Sequence, residues 1–181
     1  MRIELEKCVN ILKKGGVILY PTDTIWGIGC DATNSEAIAK IYNIKKRNDS
    51  KALISLVANK KQLKEITGNI PDIDILSKPT TVIYPKAIGI SNKLLAIDGS
   101  AAIRITQDYF CQQLVSKLGQ AIVSTSANIS GIPYPKSFAE ISQDILNNVD
   151  YIVNLRKDEL MIQPSTILKI NIDGSIIKIR K

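Results

Sequence analysis

The sequence predicts an α/β fold: a single domain with a twisted, mixed parallel and antiparallel sheet flanked by helices. Three observations predict it. Short β-branched runs alternate with amphipathic helical segments through the first half of the chain. Hairpin-like strands follow in the middle and at the end. The 181 residues, 45% hydrophobic and 23% charged, suit one ordinary globular domain spanning residues 1–181, long enough to bury roughly 70% of its unfolded surface. No internal repeat, low-complexity tract or linker interrupts it.

The elements follow in order. Leu5, Cys8, Val9, Ile11 and Leu12 recur at helical spacing, and Gly15-Gly16 stops that helix. "VILY" is a buried strand. Thr33-Asn-Ser-Glu36 matches a capping box before a helix whose inner face is Ala37, Ile38, Ile41 and Ile44. "ALISLV" is the next strand and "NKKQLKEITG" a short amphipathic helix. "TTVIYP" and "AAIRI" are β-branched strands. "QDYFCQQLVSKLG" is helical, with Phe110, Leu114, Val115 and Leu118 on one side, and "AIVS" is a strand. "TSANISGIPYPKS" is a loop of turn formers, after which Ser137-Phe-Ala-Glu140 caps another helix. "YIVN" is a strand, and "TILKI-NIDG-SIIKI" closes the chain as a hairpin around Asp173-Gly174.

Composition excludes several chemistries. With no histidine, neither a Ser-His or Cys-His pair nor a histidine-ligated metal is available. Cys8, Cys30 and Cys111 lie far apart, in neither a disulfide framework nor a thiolate zinc spacing. No apolar run approaches the ~20 residues of a membrane span, and "MRIELEKC" has no apolar signal core. A cytoplasmic protein without a membrane partner is expected. The formal charge is +7, from 24 basic and 17 acidic residues. Lys40, Lys45, Lys46, Arg47, Lys51, Lys60, Lys61 and Lys64 form a run opposed only by Asp49, which favours a polyanion such as a nucleic acid or nucleotide phosphates. For Lys60, Lys61 and Lys64 a solvated helix face is the simpler reading.

Three segments place polar residues where strands end, the position at which open α/β sheets collect ligands. "PTDTIWGIG" offers Thr22 and Thr24 hydroxyls with Gly27 and Gly29, or is simply a turn with Trp26 buried. "KKRNDSK" offers Arg47 as a bidentate phosphate clamp with Lys45 and Lys51, or is an ordinary basic helix C-terminus. "IVSTSANISG" sets Ser124, Thr125, Ser126 and Asn128 at a strand exit, more polar groups than one cap can use. There is no GxxxxGK[ST] loop, and Gly27-x-Gly29 lacks the third glycine of a dinucleotide fingerprint. A basic, histidine-free site of this kind would work by positioning and charge neutralisation.

Taken in this order, the segments resemble the YrdC family, the threonylcarbamoyl-AMP synthases. "YPTDTIWGIG" matches the family's YPTDT-aromatic-GLG, Lys45-x-Arg47 with Lys51 its KxRxxxK, and "STSANISG" its pattern almost residue for residue. "KPTTVIYP", "AAIRI", "PSTIL" and "IKIRK" echo its remaining strands, so the resemblance covers almost the entire chain. Trp26 stands for the usual tyrosine, and Tyr134 stands where a small residue often contacts ATP.

The resemblance implies a basic concave surface and a reaction in which L-threonine, bicarbonate and ATP give threonylcarbamoyl-AMP and pyrophosphate, the carbamoyl group passing later to tRNA through a separate enzyme. By position it implies that Thr24, Arg104, Ser124 and Ser165 hold threonine. Arg47, Lys51, Ser100, Ser126 and Arg180 would contact ATP, with Lys45, Arg47, Ser126 and Asn128 near the reacting phosphate. No metal ligand is expected from the protein, and Mg²⁺ would enter with ATP. A non-catalytic RNA-binding protein using the same basic concavity is the alternative, although aromatic content is only 5% and no RNP-like or KH-like motif is present.

Overall fold

Alternation along the strands decides this architecture, because a residue and its next-but-one neighbour share one face of a sheet. The computed structural model describes residues 1–47 and 53–180. These hold strands β1 (Ile18–Tyr20), β2 (Gly27–Gly29), β3 (Ile54–Val57), β4 (Thr80–Tyr84), β5 (Ala101–Ile105), β6 (Ile122–Ser126), β7 (Tyr151–Ile152), β8 (Thr166–Ile170) and β9 (Ile176–Arg180). Helices α1 (Arg2–Lys13), α2 (Ser35–Ile44), α3 (Lys60–Thr67), α4 (Tyr109–Leu118) and the single-turn α5 (Gln143–Leu146) complete the set. The strands form one sheet in the order β7-β1-β2-β6-β3-β5-β4-β8-β9. The pairs β1/β7, β3/β5 and β4/β8 are parallel and the others antiparallel, so the expected mixed sheet is present. Among the described residues no helix is long and apolar enough to cross a membrane.

Local chemistry sets most helix ends. Asn59 and Asp108 accept the Gln62 and Cys111 amides at 3.0 and 2.8 Å, and Gly68 and Gly119 close α3 and α4 in left-handed backbone. Two expectations need correction. The cap of α2 is Asn34, whose Oδ1 accepts the Glu36 and Ala37 amides at 3.1 and 2.9 Å. The Thr33 hydroxyl instead donates to Asp31 Oδ1 at 2.7 Å, because a carboxylate is the stronger acceptor within reach. Ser137 caps no α-helix: Phe138–Glu140 is a 3₁₀ turn, and Glu140 Oε2 accepts the Lys136 amide at 2.8 Å. The third difference is β2, a strand where the sequence suggests only a turn.

Each face of the sheet has its own cover. On one, α1 and α4 bury Leu5, Cys8, Leu12, Phe110, Leu114 and Val115 against Ile18, Tyr20, Leu56 and Ile122. On the other, α2 and α3 bury Ala37, Ile38, Ile41, Leu63 and Ile66 against Leu19, Ile28, Val57, Ile103 and Val123. Trp26 belongs to this second core, fully buried and with its ring 5.1 Å from Phe138. The α1/α4 pair does not reach across the first face. Strand alternation continues that face through Gly27, Ser124, Ile54, Arg104, Ala102, Thr81, Ile83 and Ile167, and these residues line an open cavity.

Candidate active site

The cavity has a volume of about 560 Å³, within the range of small-molecule sites. Its floor is apolar, from Leu53, Ile54, Ile83, Ala96, Ala102, Ile167 and Ile179. Onto this floor the fold brings Thr24, Arg47, Ser100, Arg104, Ser124, Ser126, Ser165 and Arg180, eight of the eleven residues singled out by sequence. Lys51 lies outside the described residues. Lys45 and Asn128 do not line the cavity; they form its support. Tyr134 is also outside the lining, its hydroxyl donating to the Ile162 carbonyl at 3.1 Å.

Arg104 on β5 points away from the second core because Ile103 and Ile105 face it. It is 3% exposed, its Nη1 donates to Thr24 Oγ1 at 3.1 Å and its Nη2 lies 3.2 Å from Asp23 Oδ1. Thr24 is held in turn by the Thr22 hydroxyl at 2.9 Å, and Thr22 also donates to the Ile25 carbonyl at 2.8 Å. The "PTDT" turn therefore folds around the Thr22 oxygen and presents one hydroxyl to the cavity. From outside, Arg156 donates to the Thr22 carbonyl at 3.3 Å and to Asp108 Oδ2 at 2.6 Å.

Two other hydroxyls are tied down in the same manner. Ser165 Oγ lies 2.8 Å from Thr81 Oγ1, and its carbonyl accepts Arg180 Nε and Nη2 at 3.1 and 2.8 Å. Ser100 donates to Asp98 Oδ1 at 2.5 Å, and Asp98 is in contact with Lys169 at 3.3 Å. These bonds hold the Asp98 carboxyl down at about 2, with the Ser100 hydroxyl the largest cause. The Ser100 oxygen therefore faces the cavity as an acceptor. Burial pushes the Arg47 and Arg180 pKa values below the ordinary arginine value, yet a guanidinium stays charged. The cavity thus carries three cations above an apolar floor, a combination suited to anionic ligands with an apolar portion.

Lys45 is buried behind this wall. Its Nζ donates to the Ser126 and Asn128 carbonyls at 2.5 and 2.7 Å and reaches Asn128 Oδ1 at 3.3 Å. Burial, with a smaller push from Arg47, lowers its pKa to about 7. The ammonium braces the turn that follows β6. Elsewhere the basic run is not one surface: Lys40 donates to the Gly15 carbonyl and Lys46 pairs with Asp144. Lys60, Lys61 and Lys64 are exposed on α3, as the solvated-face reading has it.

Sequence reasoning did not single out Thr81, Asp23 or the apolar floor. Period-two alternation from Arg104 would have marked Ala102, and the same parity on "TTVIYP" gives Thr81 and Ile83. Asp23 carries no such signal, since its partner is 81 positions away in a strand pairing that no local pattern specifies.

The family described as "Telomere recombination", Sua5_yciO_yrdC, matches residues 10–181. The chain belongs to the Sua5/YciO/YrdC family. Two relatives of this Sua5/YciO/YrdC chain bear the name threonylcarbamoyl-AMP synthase. The one from Idiomarina loihiensis is 35% identical over 149 residues, covering 78% of this chain and 80% of its own. That from Photobacterium profundum is 31% identical over 157 residues, with coverage of 82% and 85%. Among solved structures, P. abyssi Sua5 in complex with L-threonine superposes with a TM-score of 0.82 at 20% identity. The match takes in 97% of this chain but 53% of that one, so the chain spans about half the length of the P. abyssi protein.

Proposed function

We propose that this Sua5/YciO/YrdC protein is a threonylcarbamoyl-AMP synthase, making threonylcarbamoyl-AMP from L-threonine, bicarbonate or CO₂, and ATP, with release of pyrophosphate. The observation that carries the reading is one cavity that gathers an anchored guanidinium, hydroxyls from five separate segments and two further arginines over an apolar floor. The name shared by its relatives supports the same reaction.

In this reading residues 1–181 are the catalytic domain. Arg104 takes the threonine carboxylate, while Thr24, Ser124 and Ser165 hold its amine and hydroxyl. Hydrogen bonds to that hydroxyl disfavour valine, which would leave buried polar groups unpaired. Arg47, Lys51, Ser100, Ser126 and Arg180 hold ATP, and Lys45 and Asn128 keep the Ser126 turn in shape. The threonine amine adds to CO₂, or to bicarbonate with loss of water, and gives a carbamate. A carbamate oxygen forms its bond to the α-phosphorus as the bond to the bridging oxygen of pyrophosphate breaks. The arginines neutralise charge that grows in the transition state, and no side chain forms a covalent intermediate. Mg²⁺ belongs to this scheme as part of the MgATP substrate. None of the described residues that line the cavity is a carboxylate, and a Mg²⁺ ion carried by phosphates needs few protein ligands. The product would pass, in the cytoplasm, to a separate enzyme that transfers threonylcarbamoyl to tRNA. No observation favours the RNA-binding reading, because the described part of the basic run is divided between interior, ion-paired and α3 positions.

The test is pyrophosphate release from MgATP, with threonine and bicarbonate each supplied or omitted. Release that requires both, and is at least tenfold slower with valine, is the expected result. No release under any condition from folded protein would overturn the reading.

A further inference from the structure

We propose that Asp23 is a positioning residue, which never touches substrate but orients the Arg104 guanidinium toward the amino-acid carboxylate. The inference rests on the synthase reading above. Asp23 and Arg104 form a buried pair, their side chains 9% and 3% exposed, at 3.2 Å. The second carboxylate oxygen of Asp23 accepts the Gln107 amide at 2.9 Å, fixing the carboxylate to the chain just beyond β5. Arg104 lines the cavity and Asp23 does not.

Adjacent residues of one turn thus hold two edges of a single guanidinium. Thr24 receives Nη1 on the cavity side, and Asp23 meets Nη2 from behind. Among the described residues neither Arg104 Nε nor Asp23 Oδ1 has a hydrogen-bond partner, so the Asp23 contact is an ion pair and the guanidinium keeps donor capacity for a ligand. Without Asp23 the guanidinium would be a buried cation with no counter-charge whenever the cavity lacked an anion. With Asp23 it is held before the carboxylate arrives, and the ordering cost of binding falls. An asparagine here would place an amide donor against the Nη2 donor or give up the Gln107 bond, and either choice turns the guanidinium.

The experiment is a double-mutant cycle of Asp23→Asn and Arg104→Lys, with KM for threonine, KM for ATP and kcat measured for each protein. Asp23→Asn raises KM for threonine about tenfold, leaves KM for ATP within twofold and changes kcat less than threefold. The double variant loses little more than Arg104→Lys alone, because Asp23 acts through Arg104. Additive losses, or equal rises in both KM values, overturn the proposal and leave Asp23 a structural residue. If thermal melting shows that Asp23→Asn does not fold, Asp23→Glu carries the test: the retained charge at the wrong distance raises KM for threonine selectively, and an unselective loss overturns the proposal. Wild-type enzyme without threonine-dependent pyrophosphate release would instead refute the synthase reading on which the inference stands.

Discussion

At the scale of single residues, Arg104 joins the most observations. It is a buried cation with one edge on Thr24 and another on Asp23, and lysine, a point charge, cannot reproduce such a fork. Arg104→Lys therefore raises KM for threonine tenfold or more, a loss of about 1.4 kcal/mol or greater, while KM for ATP changes little. Steady-state kinetics with each substrate varied in turn checks this, and an equal effect on both would place Arg104 outside the threonine end. The hydroxyls at the exit of "AIVS" are legible from the residues themselves, being more polar groups than one cap can use, whereas Arg104 is marked only by the resemblance of "AAIRI" to a family strand. Thr81 and Asp23 carry neither mark. A threonine in a β-branched strand and an aspartate in a turn are ordinary, and only the register Val82↔Ile103 and the closure of residue 23 onto residue 104 give them roles.

At the scale of elements, β2 lies between β1 and β6 with two glycines that do different work. A Cβ on Gly29 would overlap the Val123 carbonyl oxygen and come within 2.7 Å of the Tyr20 ring, so glycine is needed for the strands to approach. A Cβ on Gly27 would meet Ser124 Oγ at 3.3 Å and the Thr125 carbonyl oxygen at 3.4 Å, near-contacts at the cavity wall. Gly29→Ala is expected to lower stability by about 3 kcal/mol or more through backbone displacement. Gly27→Ala stays within about 1 kcal/mol of wild type but loses threonine affinity, because its methyl crowds Ser124. Urea unfolding beside KM measurements separates the two, and matching stability losses would refute the distinction. The same element shows where pattern reading stops. Three residues, two of them glycine, have too little β-propensity to announce a strand, whereas "TTVIYP", "AAIRI" and the terminal hairpin do. One helix cap is legible to within one residue, Asn34 acting beside Thr33 because Asp31 captures the Thr33 hydroxyl, whereas Ser137 caps no α-helix.

For the molecule as a whole, Lys45 makes stability depend on pH in a direction opposite to the buried thiols. Its folded pKa, near 7, lies below its ordinary value, so its contribution is present above about pH 10.4 and is lost as pH falls toward 7. Cys8 is pushed up to about 12 by burial, and Cys30 and Cys111 are also raised; their contribution is lost as pH climbs past the unfolded thiol value. A Lys45→Met variant shares the thiols, so the difference between the two proteins isolates the lysine. Wild-type stability relative to Lys45→Met grows from pH 7 to pH 9, by up to about 1.4 kcal/mol per pH unit. Urea midpoints across that range measure it, and a constant difference would show that the Lys45 charge is unperturbed.

The uncovered part of the first sheet face has a consequence for motion. Strands β4, β5 and β8 have the second core beneath them, and where α1 and α4 end no described helix covers their other face, which lines the cavity. A sheet is ordinarily sandwiched between two layers, and in this protein the layer missing at one end has the dimensions of a ligand. Backbone amides there should exchange with deuterium faster than those under α4, which opens with the more complete core. On the synthase reading, threonine and nucleotide would act as a removable third layer. Saturation at a hundred times Kd adds about 2.7 kcal/mol to unfolding, and the protection it confers should concentrate in β4 and β8 and leave β1 unchanged. Each turnover would in that sense complete the fold and then undo the completion.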